Sequence, residues 1–105
     1  MYFYLIKLDN NKYYILYSTS KTFDIKELMT FEAIDWVLIN KPIVIVKKIL
    51  YTGHYNVNDY VLEYMNIYGK DYVRGGDYSD VILSSHQNNL LSTVLKKGKA
   101  LLKKI

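Results

Sequence analysis

The chain reads as an α+β domain, and three observations carry that reading. Two short β-prone segments flank a turn rich in Asp and Asn. A run of β-branched residues follows the only proline. Two later stretches place apolar residues every three or four positions, the spacing of a helix with one buried face.

The first pair of segments is Tyr2 to Leu8 and Tyr13 to Tyr17. The turn between them, Asp9-Asn10-Asn11-Lys12, predicts a β-hairpin because Asx side chains support tight turns. Thr22 or Asp24 is placed to cap a short helix reaching Thr30, with Phe23, Ile25, Leu28 and Met29 on its apolar side. Residues Ala33 to Ile39 are ambiguous and can extend that helix. Pro42 marks a break, and Ile43 to Leu50 reads as a central strand. Asn56 or Asn58 then caps a helix whose apolar face is Val57, Tyr60, Val61, Tyr64, Met65 and Tyr68, and Gly69 stands as its left-handed stop. Gly75-Gly76 predicts a sharp turn and Val81 to Leu83 a short edge strand. Ser84 or Ser85 opens a last helix with the stripe Leu90, Leu91, Val94, Leu95, Leu101, Leu102 and Ile105, interrupted at Gly98.

With 105 residues and a 50% apolar fraction, the chain has the length and composition of one soluble domain with a modest core. No apolar run approaches the roughly 20 residues that span a bilayer. Met1 leads straight into a strand pattern, so no secretory signal is expected. The absence of cysteine removes thiolate nucleophiles, disulfides and Cys-type zinc sites, and fits a reducing, intracellular compartment. Twelve tyrosines are many for this length, and tyrosine suits strands, buried sites with a polar tip and interfaces. Of the net charge of +4, the last ten residues carry +5 through Lys96, Lys97, Lys99, Lys103 and Lys104, leaving the rest about neutral.

The order hairpin, helix, strand, helix, glycine loop over residues 2–83 resembles the GIY-YIG nuclease-like domains of large DNA viruses of amoebae. Tyr2-Phe3-Tyr4 stands where that family has Gly-Ile-Tyr, and Tyr13-Tyr14-Ile15-Leu16 where it has Tyr-Tyr-Ile-Gly. Trp36 followed by Pro42 resembles the spacing before the family's third strand. Tyr68-Gly69 and Val73-Arg74-Gly75-Gly76 with Tyr78-Ser79 are the nearest match. The resemblance implies a small three-stranded antiparallel sheet flanked by helices, here extended by a C-terminal amphipathic helix over residues 84–105. It also implies a site in which tyrosines, an arginine and a glutamate surround one divalent metal to hydrolyse phosphodiesters. The corresponding positions are Tyr4, Tyr14, Lys26, Asp59 and Glu63. Leu16 replaces the motif glycine and crowds the approach of a DNA backbone. No arginine lies near Asp24-Ile25-Lys26, and a lysine cannot make a planar bidentate contact. Asn56 to Asp59 stands where a glutamate is expected.

The expectation is therefore a non-enzymatic relative without metal or cofactor, of viral origin, located in the host cytoplasm or the virion. Its leading role is self-association as a structural or accessory component, with Leu90, Leu91, Val94, Leu95, Leu101 and Leu102 as the oligomerisation candidates. The alternative is sequence-independent nucleic-acid binding through Arg74, Lys96, Lys97, Lys99, Lys103 and Lys104. Residual metal-dependent nuclease activity is the third reading. His54 and His86 have no partner at metal-ligand spacing and read as structural or surface residues.

Overall fold

A computed structural model describes residues 1–19, 22, 24–26 and 34–102, with side-chain surroundings given up to residue 95. Strands β1 (Tyr2–Leu8) and β2 (Tyr13–Ser18) form the hairpin, pairing Phe3 with Tyr17, Tyr4 with Leu16 and Ile6 with Tyr14. A 3-10 turn, Asp9–Asn11, joins them, and its Asn10 and Asn11 take φ of 64° and 58°, a conformation asparagine tolerates better than most side chains. Helix α1 (Asp35–Asn40) precedes strand β3 (Pro42–Leu50). Helix α2 (Val57–Tyr68), strand β4 (Val73–Gly75) and helix α3 (Ser85–Leu102) complete the order.

The architecture is α+β, as the sequence predicts, but the sheet is not three antiparallel strands. Among the described residues it has four strands in the order β3-β1-β2-β4, and β4 runs parallel to β2 through the pairs Tyr13–Val73, Tyr14–Arg74 and Ile15–Gly75. The added strand falls in the predicted glycine turn. Gly75 makes it possible: a Cβ there would meet the Ile15 carbonyl oxygen at 2.8 Å and Val61 Cγ2 at 2.9 Å. The strand expected at Val81 to Leu83 is instead irregular, although Leu83 is buried. The strand expected to be central, β3, is an edge among the described residues: there it pairs only with β1, and its β-branched residues are largely exposed. The buried central strand is β1, whose run of apolar residues is covered on both faces.

One face packs Phe3, Leu5 and Ile15 against Val61, Tyr64 and Met65 of α2 and Leu91 of α3. The other packs Tyr4, Ile6 and Leu8 against Trp36 and Val37 of α1. Helix α2 begins with a reciprocal cap, Asp59 N–H to Asn56 Oδ1 (3.1 Å) and Asn56 N–H to Asp59 Oδ2 (2.9 Å). It ends at Gly69, whose φ of 107° is positive but outside the left-handed helical geometry expected of it. Ser84 and Gln87 make the same kind of cap on α3, at 3.1 and 2.8 Å. That helix runs on past Gly98. Of the helix predicted from Thr22 or Asp24 to Thr30, the positions Phe23, Leu28 and Met29 lie outside the described residues. Ile25 packs against the Tyr4–Trp36 cluster.

Candidate functional site

The resemblance groups Tyr4, Tyr14, Lys26, Asp59 and Glu63 into one site, and the sheet separates them. Successive residues of a strand point to opposite faces. Tyr4 and Tyr14 lie on the α1 face, beside Leu16. Asp59 and Glu63 belong to α2, which covers the opposite face. Asp59 is engaged in capping its own helix. Lys26 is exposed and bonded through its backbone N–H to Asp24 Oδ1 at 3.0 Å. Burial, and secondarily Tyr2, raises the Tyr4 hydroxyl above its ordinary pKa, which keeps it protonated and disfavours a role in activating water. Among the described residues no three His, Asp or Glu side chains are grouped closely enough to hold a metal ion. His54 and His86 are both exposed.

Arg74, the only arginine, is 3% exposed and turned inward. Its Nε donates to the Asp80 carbonyl (2.7 Å), Nη1 to the carbonyls of Lys70 (2.5 Å) and Val73 (2.8 Å), and Nη2 to that of Val81 (3.2 Å). Its guanidinium lies over the Trp36 ring. Desolvation lowers its pKa, with Asp71 and Asp80 acting in the opposite direction. A buried guanidinium committed to backbone carbonyls is a brace for the chain segments around β4, and is poorly placed to meet a phosphate. Lys12 stands nearby, its Nζ 4.3 Å from the Tyr72 ring centroid and bonded to the Asp71 carbonyl. Lys12, Trp36, Arg74 and Ile82 border a cleft of about 430 Å³.

The surfaces beyond this brace differ sharply between the two edges of the sheet. On β3, Ile43, Val44, Val46 and Leu50 are each about half exposed or more. The pairing with β1 skips Val46, between Lys47 opposite Leu5 and Ile45 opposite Ile6, and skips Ile43 between Val44 and Pro42. Each is a bulge that twists an edge strand and breaks its ladder. Lys41, Lys47 and Lys48 are exposed as well, and Lys48 Nζ lies 4.6 Å from the Tyr2 ring centroid. In the segments before and after β4, Asp71, Asp77 and Asp80 are exposed, and Ile82, 86% exposed, borders the same cleft as Lys12.

Of the oligomerisation candidates, Leu91 is fully buried in the core, Leu95 packs against it, Val94 is half-buried and Leu90 is largely exposed. The side chains of Leu101, Leu102, Lys96, Lys97 and Lys99 lie outside those described, as do Lys103 and Lys104 entirely. The apolar edge of β3 and the projecting Ile82 escaped sequence reasoning, because a β-branched run reads alike as a buried strand and as an exposed edge.

Fold and surface define an α+β domain with a mixed four-stranded sheet. None of its helices, among the described residues, is long and apolar enough to cross a membrane. No protein-family model matches the chain, and neither the curated proteins nor the solved structures give a match.

Proposed function

We propose that this chain is a non-catalytic module that works by self-association, on a scaffold resembling the GIY-YIG domain. The observation that carries the reading is the β3 edge, where Ile43, Val44, Val46 and Leu50 are each about half exposed on a single strand. The separation of Tyr4 and Tyr14 from Asp59 and Glu63 supports the non-catalytic half of the proposal. The viral setting, as a structural or accessory component in the virion or host cytoplasm, comes from the resemblance.

Size-exclusion chromatography with light scattering over a wide concentration range tests it. The expected result is a mass that rises with concentration, and a strict monomer throughout overturns it. Incubation of DNA with the protein and Mg²⁺ or Mn²⁺ is expected to give no nicks, and metal-dependent cleavage by clean protein overturns the non-catalytic half.

A second reading, nucleic-acid binding, has its own support in the five acid-free lysines of residues 96–105. It expects DNA binding that weakens steeply with salt and is lost when those lysines are changed to Gln. Binding that survives the change rules out this version.

A further inference from the structure

We propose that the cleft between the start of β2 and the C-terminal end of α2 binds a nucleobase joined to a phosphate, with the base stacked on tyrosine rings. The proposal goes beyond self-association, and it uses neither the β3 edge nor the lysines of residues 96–105.

The cleft has a volume of about 290 Å³ and is lined by Asn11, Tyr13, Tyr68 and Tyr72. The Tyr13 and Tyr68 rings stack, their centroids 4.1 Å apart and their planes 11° from parallel. Tyr64 lies nearly parallel to Tyr68, at 6.1 Å and 10°. Tyr68 is 38% exposed and Tyr72 43%. Rings that line an open cleft and keep this much surface in solvent offer flat π faces, and every base has a matching one.

The backbone fixes these rings before any ligand arrives. Tyr13 N–H donates to the Tyr72 carbonyl (2.7 Å), and Tyr72 N–H donates to the Gly69 carbonyl (3.1 Å). The missing side chain of Gly69 lets the Tyr72 ring close on the helix end, where a Cβ would meet Tyr72 Cδ2 at 3.1 Å. Walls that are already ordered lower the entropic cost of binding.

Charge then selects an anionic guest. Lys12 Nζ lies 4.3 Å from the Tyr72 ring centroid. Its hydrogen bond goes to the Asp71 carbonyl (3.2 Å), a neutral acceptor that leaves the positive charge in place. Lys7 is the cross-strand partner of Tyr13, so the two side chains share a sheet face. Burial, then Tyr13, raises the Tyr68 hydroxyl above its ordinary pKa, and Lys7 is near enough to pull it the other way. Each wall thus has a cation beside it. No carboxylate is among the described residues lining the cleft, and Asp71 borders the neighbouring one beside Trp36. A cationic guest would be repelled here, and a neutral sugar would gain nothing from the lysines. A nucleotide unit supplies both halves, a ring for the tyrosines and a phosphate for Lys7 and Lys12.

The test is fluorescence anisotropy of a labelled oligothymidine of about 12 nucleotides with the full-length protein. Binding is expected to weaken with salt and to survive replacement of the five lysines in residues 96–105 by Gln. Tyr72→Ala should weaken it about tenfold or more, Tyr72→Phe should leave it near wild type, and Lys12→Gln should weaken it and lower the salt slope by about one. If circular dichroism shows that Tyr72→Ala does not fold, Tyr72→Leu takes its place. A duplex of the same length should bind far more weakly, because its bases are already stacked on one another. Thymidine monophosphate separates the two sources of this chemistry. Competition at equal base concentration assigns the cleft to a free nucleotide, and competition by the oligonucleotide alone assigns it to a single strand. The proposal is overturned by no binding at low salt, by duplex binding as tight as single-strand binding, by Tyr72→Ala binding like wild type, or by loss of all binding when only the terminal lysines are replaced. None of those four results bears on the chain's mass in light scattering, so self-association stands or falls separately.

Discussion

The central carbon of the Arg74 guanidinium lies 4.5 Å from the centroid of the Trp36 ring, and both side chains are buried. Trp36 in turn donates from Nε1 to the carbonyl of Tyr13 at 2.9 Å. One stacked pair thus ties α1 to the β2 hairpin strand and to the segment around β4. The four carbonyls gripped by Arg74 come from residues 70, 73, 80 and 81, so the cation closes both sides of the glycine turn.

Replacing Arg74 with Met should leave those carbonyls short of donors inside the protein. The expected loss is about 3 kcal/mol or more of folding stability, measured by urea denaturation. Arg74→Lys should recover little of it, because one ammonium cannot reproduce the fork of donors. A Met variant as stable as wild type would remove the brace from the account.

Gly75→Ala should cost about 2–4 kcal/mol, since the added methyl meets the Ile15 backbone and Val61 in a strand that cannot retreat without breaking its pairing. Gly53 provides the control. It has positive φ (88°) with nothing near its missing Cβ, so Ala there should cost about 1 kcal/mol from backbone strain alone. Equal losses at the two positions, in thermal or chemical denaturation, would place the effect in φ and not in the close approach.

The hairpin, α2 and the leucine-bearing α3 were legible because each is written in local signals: Asx residues in a turn, Asn56 or Asn58 ahead of a run with helical spacing, and Leu91 and Leu95 four apart, whereas the choice of Asn56 and its reciprocal bond with Asp59 came from the fold. The misplacement of β3 has a different cause. Ile43 to Leu50 carries no mark of which neighbours it lacks, and edge or centre is settled only by where the other strands go. Likewise β4 is three residues long and contains a glycine, too short for any periodicity, and its pairing depends on a close approach to Ile15 that only the folded chain contains. At the candidate site, Arg74 is conspicuous as the only arginine, but whether it faced solvent or carbonyls was not in the sequence.

Stability should fall as the solution passes above the ordinary tyrosine value of 10.0. Burial is the main cause raising the pKa of Tyr4, Tyr60, Tyr64 and Tyr68 in the folded state. The sign follows directly: the folded chain holds these protons more tightly than the unfolded chain, so their contribution is complete below the unfolded value. It is lost as pH rises through the folded values. Tyrosinate absorbance during an alkaline titration should show one group of tyrosines ionising freely and a second ionising only as circular dichroism reports unfolding. Ionisation of all twelve tyrosines near pH 10.0 with the fold intact would contradict the burial.

Leu90 and Leu91 are adjacent in sequence and opposite in consequence. Leu91 is fully buried among Phe3, Leu5, Val61 and Met65, whereas Leu90 is 44% exposed. Leu91→Ala should remove about 2–5 kcal/mol, the cost of lost transfer energy plus a cavity, and should do so at every protein concentration. Leu90→Ala should change stability by no more than about 0.5 kcal/mol. If α3 nevertheless contributes to association, the Leu90 variant is where it would appear, as a lower mass in light scattering with an unchanged denaturation midpoint. Should Leu91→Ala leave stability intact, α3 is not packed on the sheet, and the core that sets the two edges apart would need a different account.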